Sequence, residues 1–351
     1  MQIVMSRLVA TVFIFLMSIY GIQAQASYSI NSQQASAHPQ KKQFTKKILI
    51  SKVIDHKALY ETIRGIIEGL AQNGYKQGQN LELHVESSQG SQSLAAQIAS
   101  KFVSQNPDVL VAVGTISAQS FLKHIAQNKK LQLVFSSVSD PKAARLTNVQ
   151  GKSTQNISGV SNFIDLKSQI ELFTKLQPNL KRLGILYNTG EANSVTILGQ
   201  LIEVCRTFGI EIVTQTASRT SEIAQATAKL ASNVDAIFIN NDNTALNSIK
   251  IIISVSAKHN VPVYVSDTDC VEFGALAALG ANQYKLGLQT AEIISKILDG
   301  VQIEQIPIAF PNETVLFINY NVASKFNIKI SEDLMSKAVI IGMNQRISEK
   351  L

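Results

Sequence analysis

Tryptophan is absent from the 351 residues, and cysteine occurs only at Cys205 and Cys270. The two cysteines lack metal-ligand spacing. Cys205 falls on a helical apolar pattern and reads as core, Cys270 lies near a polar segment, and the sequence leaves their pairing open. No G-x-S-x-G elbow, Walker A loop, GxGxxG or H-E-x-x-H occurs, so the usual catalytic and nucleotide-binding signatures are missing. The five histidines are dispersed. No dense Lys/Arg run interleaves with aromatics, so the net charge of +7 reads as solubility charge rather than a nucleic-acid footprint. Beyond residue 26 no stretch is long and apolar enough to span a membrane.

The first residues do carry a signal. Arg7 supplies a positive start, residues 8–20 an apolar run and Ala24-Gln25-Ala26 a small-residue cleavage site. Residues 1–26 are therefore expected to be a signal peptide and the chain to be periplasmic, with an uncleaved anchor as the alternative. No cysteine near the cleavage site offers a lipid attachment point. Residues 27–46 are largely Gln, Ser, Ala and Lys and read as a disordered linker.

The remainder repeats one plan. Residues 236–247 (AIFINNDNTALN) run from a short apolar strand through a polar crossover into a helix start, and residues 108–120 (DVLVAVGTISAQS) do the same. Residues 47–54 answer 181–187, and residues 131–140 answer 261–269. Alternation of strands with helices of this length predicts an α/β chain of two doubly wound parallel-sheet lobes joined by a hinge. The expected boundaries are 47–158 with 276–304 for lobe 1, 159–275 with 305–340 for lobe 2, and a tail over 341–351.

Crossovers outside the carboxyl ends of strands are where such folds bind ligands. The rims carry hydroxyls, amides and helix starts suited to a carboxylate: Thr115, Ser117, Ser136, Ser137, Asn193, Ser194, Asn243 and Thr244. Glu191, Asp242 and Asp267 offer negative charge for an ammonium group. His56 either contacts a ligand or packs at the rim. Asp242 is the preferred ammonium partner, and its alternative is a plain helix cap. Without tryptophan, stacking falls to Tyr or Phe, and Tyr187 is placed for it. A two-lobed enzyme using paired carboxylates is a rival, but no spacing assigns acid and base. No catalytic residue, metal or cofactor is expected.

At these residues a family resemblance emerges. His56-Lys57-Ala58-Leu59, Thr115-Ile116-Ser117-Ala118-Gln119, Val138-Ser139-Asp140-Pro141, Asn156-Ile157-Ser158-Gly159-Val160, Glu191-Ala192-Asn193-Ser194, Asp242-Asn243-Thr244 and Gly274-Ala-Leu-Ala-Ala-Leu-Gly280 resemble motifs of ABC-transporter substrate-binding proteins related to tryptophan- and tyrosine-binding receptors. The resemblance implies a type I periplasmic binding protein: a monomeric receptor with an amino-acid-like ligand in its cleft and an inner-membrane ABC permease as partner. A sensory protein of the same fold, reporting to a membrane receptor, is the rival within that fold. Two departures stand out. Lys57 replaces the proline common after the histidine, and Ser266-Asp267-Thr268-Asp269 replaces the usual Ser-Glu-Gly-Asp.

Overall fold

The computed structural model describes residues 45–342; the expected signal peptide, the linker up to residue 44 and the tail beyond Gly342 lie outside them. Lys46, assigned to the linker from sequence, already belongs to the first strand.

The first lobe runs β1 (Lys46–Lys52), α1 (Lys57–Gln72), β2 (Leu81–Ser87), α2 (Gln92–Ser104), β3 (Val109–Val113), α3 (Thr115–Gln127), β4 (Leu133–Val138) and β5 (Ile157–Ser161). The second runs α4 (Leu166–Leu176), β6 (Arg182–Tyr187), α5 (Ala192–Thr207), β7 (Glu211–Thr216), α6 (Ile223–Ala231), β8 (Ala236–Ile239), α7 (Asn243–Asn247), α8 (Ile249–Lys258), β9 (Val263–Val265) and β10 (Ala277–Ala281). Then α9 (Gln283–Leu298) precedes β11 (Thr314–Asn319), α10 (Tyr320–Lys325), α11 (Glu332–Lys337) and β12 (Val339–Ile341).

The sheet orders are β2-β1-β3-β4-β5 and β7-β6-β8-β9-β10-β11-β12. The first five strands of each follow one order, with the order of strands switching between β1 and β3 and between β6 and β8, which pair in parallel. The duplicated plan legible in the sequence is thus two copies of one doubly wound sheet. Helices cover both faces, so strands such as β3 (VLVAV) are buried along their whole length and read as unbroken apolar runs. In the second sheet β11 runs antiparallel to β10, a departure from an all-parallel sheet.

The expected boundaries shift. β5 pairs with β4, so the first crossing follows Ser161 rather than residue 158. β10 pairs with β9 and β11, so the chain leaves the second lobe after Ala281, not at 275. Residues 276–281 (LAALGA) are mostly small and lack β-branched side chains, which hid the strand. Gly280 shows why small residues are needed: a Cβ there would sit 2.3 Å from the Ser266 carbonyl. Residues up to Ala309 stay with the first lobe, where Ala309 donates to Gly159 and accepts from Ser161.

The return to the first lobe depends on α9 lying against α1. Leu286, Ile293, Ile294 and Ile297 join the core formed by Ile48, Ile50, Ile66 and Val111. The helices meet through glycines. A Cβ on Gly65 would stand 2.2 Å from the Tyr284 carbonyl, and one on Gly287 2.1 Å from that of Thr62. Gly65→Ala should therefore lower stability by about 1–3 kcal/mol through overpacking. Gly199→Ala, in α5 with open space around it, should instead raise it by roughly 0.5–1 kcal/mol. Denaturant unfolding of both variants checks the pair.

Candidate functional site

The carboxyl ends of both sheets face one cavity, whose enclosed space is about 30 Å³. From the first lobe come Val53, Ile54 and His56 after β1, Gly114 and Thr115 at α3, Ser137 and Ser139 at the end of β4, and Gln283 opening α9. From the second come Asn193, Asn241, Asn243, Leu246 and Asp267, with Asn162 in the crossing between lobes.

Local chemistry explains this placement. Gly114 has φ of 95°, and a Cβ would meet Val53 at 2.5 Å, so only glycine fits. Glycine at the N-cap supplies no side chain, and α3 accordingly has no side-chain cap. Its first-turn N–H groups and positive dipole end sit beside the cavity. Ser137 has φ of 55° at a β-bulge in β4, which turns its hydroxyl toward Gln283 Oε1 (3.5 Å) and Thr62 Oγ1 (3.4 Å).

His56 and Asp267 meet from opposite lobes, Nδ1 to Oδ2, at 3.3 Å. Burial raises the Asp267 pKa, opposed by the nearby His56. His56 Nδ1 also accepts from Ala58 N–H at 3.4 Å as the cap of α1, and Nε2 lies 4.0 Å from Cys270 Sγ. These three side chains are the only candidate metal cluster among the described residues. Beside them Lys57 bridges the lobes to Asp269 (3.4 Å) and Glu272 (3.0 Å). Lys57, one of the departures from the family pattern, thus pairs with Asp269, the aspartate that pattern keeps beside the departing Asp267 and Thr268. Burial pushes the Cys270 thiol far up, and the Cys205 thiol to about 12; both are free and buried.

Of the residues read from the sequence, His56, Thr115, Ser137, Asn193, Asn243 and Asp267 line the cavity, whereas Ser117, Ser136, Tyr187, Glu191, Ser194, Asp242 and Thr244 do not. Ser117 accepts from Ser51 (3.3 Å) beneath the sheet end, and Ser136 bonds Thr290 of α9 (2.8 Å). Tyr187 packs on the second lobe's core, and Ser194 is fully buried. The expectation that Asp242 holds an ammonium group is not met by the geometry. Its Oδ1 accepts from Ala245 N–H (2.9 Å) as the cap of α7, and its Oδ2 from Asn188 N–H (2.7 Å), leaving it fully buried.

Glu191 also turns inward. It accepts from the backbone and side chains of Asn243 (2.9 and 2.6 Å) and Thr244 (3.1 and 3.0 Å). Tying down α7 in this way, it leaves its own helix α5 without a side-chain cap. Asn193, on that open turn, donates Nδ2 to the Asn241 carbonyl (2.7 Å), while its Oδ1 has no partner. The sequence reading missed Gly114, Ser139, Asn162, Asn241 and Gln283. Asn241 lay inside the polar run already singled out, but no local signal marked Gln283, which reaches the cleft only through the return of α9.

Two like-patterned lobes facing across a polar cleft define the type I periplasmic binding protein fold, a class that encloses a small molecule between its halves. The ABC transporter substrate binding protein family model matches residues 47–341. The chain belongs to that family. It is 30% identical over 319 residues, 90% of this chain and 92% of the other, to the tyrosine-binding protein of Clostridioides difficile (strain R20291). A Streptococcus pneumonia ABC domain in complex with L-Trp superposes with a TM-score of 0.80 at 30% identity, covering 84% of this chain and 99% of that one. A ligand-free, open substrate-binding protein with adhesive properties from Clostridium difficile gives 0.66 at 29% identity, covering 86% and 100%. Among the described residues no helix is long and apolar enough to cross a membrane.

Burial, then the Asp242 carboxylate, pushes Glu191 up to about 7. Its folded pKa exceeds the unfolded one, so this group's stabilisation is complete below about pH 4.5 and is lost as pH rises through about 7. Stability should decline from about pH 5 to about pH 8. Asp242→Asn, which removes the like charge, should flatten that decline and leave ligand affinity unchanged. Denaturant unfolding across pH, paired with calorimetry, tests both halves.

Proposed function

We propose that this chain is an exported receptor of an ABC importer that closes on a small amino-acid-like ligand and delivers it to an inner-membrane permease. Aromatic amino acids are the first candidates. The observation that carries the reading is a pair of opposed features in one cavity. The uncapped N-terminus of α3 suits a carboxylate. Across the cleft Asp267 and the unpartnered Asn193 Oδ1 suit an ammonium group. The cavity lining includes no lysine or arginine among the described residues, which fits a zwitterion better than an anion.

Closure needs no chemical step. A ligand touching both lobes stabilises the closed arrangement over the open one by its differential contacts. The contacts of Lys57 with Asp269 and Glu272, and of Gln92 Nε2 with the Gly190 carbonyl (3.1 Å), support reading this structure as a closed form. Better superposition on the tryptophan complex than on the open relative supports the same reading. The ligands named for the two relatives are what place aromatic amino acids first.

Mass spectrometry of small molecules released from denatured, purified protein should yield an amino acid, and calorimetry should confirm its binding. Asn193→Ala and Asp267→Asn should each weaken that binding by about 1–3 kcal/mol. Ligand at about a hundred times its dissociation constant should stabilise the native protein by roughly 2.7 kcal/mol. Release of a sugar or a nucleotide instead, with no amino acid bound, would refute the reading.

Export is proposed from residues 1–26. The mature chain should begin near Ser27 and fractionate with the periplasm. N-terminal sequencing checks this, and Met1 retained on membrane-bound protein would count against cleavage.

A further inference from the structure

Lys57 stands against its local preferences. It is the first residue of α1 after the His56 cap, where a helix favours proline or an acidic side chain and where the positive end of the helix dipole opposes a cation. The first turn of α1 holds no acidic residue to offset that charge. The acidic residues on either side of it in sequence are engaged elsewhere, Asp55 with Lys52 (2.7 Å) and Glu61 with Arg64 (2.6 Å). Both ion pairs of Lys57 run instead to the other lobe, to Asp269 (3.4 Å) and Glu272 (3.0 Å). A residue that breaks a local rule in this way is offset by contacts made elsewhere in the fold.

Both partners stand on rigid mounts. Lys57 opens the helix whose glycine seats against α9. Asp269 and Glu272 lie on and just after a helical turn over Thr268–Val271. Cys270 and Val271 of that turn are fully buried in the second lobe's core, and the Val271 carbonyl accepts from Asn319 Nδ2 (3.0 Å). The Lys57 contacts therefore form only when the lobes come together. The inner cross-lobe pair, His56 with Asp267, has side chains 10% and 5% exposed, whereas those of Lys57 and Glu272 are 48% and 51% exposed. Mobile ions screen the outer pair and hardly reach the inner one. The bond to Glu272 raises the Lys57 pKa above its ordinary value, so the ammonium stays charged.

We propose that Lys57 is a positioning residue for ligand capture: with Asp269 and Glu272 it forms an electrostatic latch outside the cavity that favours the closed form and makes ligand retention depend on ionic strength. This inference rests on the receptor reading above. None of the three residues lines the cavity, so the latch acts through the equilibrium between open and closed forms. Where the open form predominates without ligand, apparent affinity scales with the closed population. Two partly exposed ion pairs change that population by about two- to tenfold. A zwitterionic amino acid carries no net charge, and no lysine or arginine lines the cavity among the described residues. A salt dependence that disappears with Lys57 therefore belongs to the latch.

Calorimetry with L-tyrosine and L-tryptophan on the mature wild-type protein, Lys57→Met and Asp269→Asn/Glu272→Gln tests it. Lys57→Met should bind the tighter of the two amino acids about two- to tenfold more weakly at about 20 mM salt, and the gap should close at about 500 mM. Added to Asp269→Asn/Glu272→Gln, Lys57→Met should cause no further loss. Lys57→Pro is the second variant, because the extended backbone of His56 (φ −135°, ψ 144°) accepts a following proline and the first helical position tolerates its missing N–H. It should bind as weakly as Lys57→Met and, without ligand, unfold at no lower temperature than the wild type. Lys57→Met affinity equal to or above that of the wild type at low salt, a loss that persists once both carboxylates are removed, or failure of both Lys57 variants to fold overturns the latch. Wild type that binds neither amino acid overturns the amino-acid reading, and the latch is then read from small-angle scattering of the ligand-free proteins. Wild type more compact than Lys57→Met at low salt sustains the latch, and matching curves overturn it.

Discussion

The close contact of α1 with α9 is the constraint on which the rest of the molecule depends. Once β10 has completed five strands of the second sheet, the chain must recross to the first lobe, and only a well-packed landing makes that recrossing favourable. Gly65 and Gly287 let the two backbones approach within side-chain reach, and the isoleucines of α9 then enter the first core. Three crossings between the lobes follow from it, after Ser161, after Ala281 and before Thr314. The same landing carries Gln283 into the cleft and Thr290 beneath Ser136. A core contact thereby fixes part of the binding surface.

The second lobe solves a different problem, that of holding short polar loops rigid around a cavity. Glu191 and Asp242 exchange the task of capping. Asp242 caps α7 and also holds the loop after β6, while Glu191 leaves its own helix bare in order to brace α7. Burial and the neighbouring Asp242 carboxylate raise the proton affinity of Glu191, while the Asn243 and Thr244 groups that donate to it oppose that rise. Bare helix ends, α3 in one lobe through Gly114 and α5 in the other through Glu191, are left beside the cavity. Preorganised N–H groups of that kind need no rearrangement when an anion arrives.

The fold was largely legible in the sequence because its signals are local. Unbroken apolar runs such as VLVAV mark strands buried on both faces, polar crossovers mark their carboxyl ends, and the order of these signals repeats in the two halves. The strand at Ala277–Ala281 was the exception, since close approach to Ser266 demands small residues and small residues carry no strand signal. The site was legible only as a set of loops. Within them, which residues face the cavity depends on where each side chain finds its partners, and Asp242 shows the consequence. Its position beside Asn243 and Thr244 suited a ligand contact, yet the backbone N–H groups of Ala245 and Asn188 claim both its oxygens.

By itself, then, the sequence determined the class of architecture, the duplication and the rim segments, because periodicity and turn chemistry act over a few residues. It also set Gly114 at a helix start where no side chain could cap. Tertiary structure alone decided which polar groups were satisfied internally and which were left open. Hydrogen-bond satisfaction is settled between residues far apart in the chain: Asn188 with Asp242, Glu191 with Thr244, His56 with Asp267. Asn193 Oδ1 at the cleft and the Asn240 amide behind it are among the groups left unpaired in the described residues, and they are identified only by that accounting, because an unpaired buried atom is defined by the neighbours the fold does not bring to it.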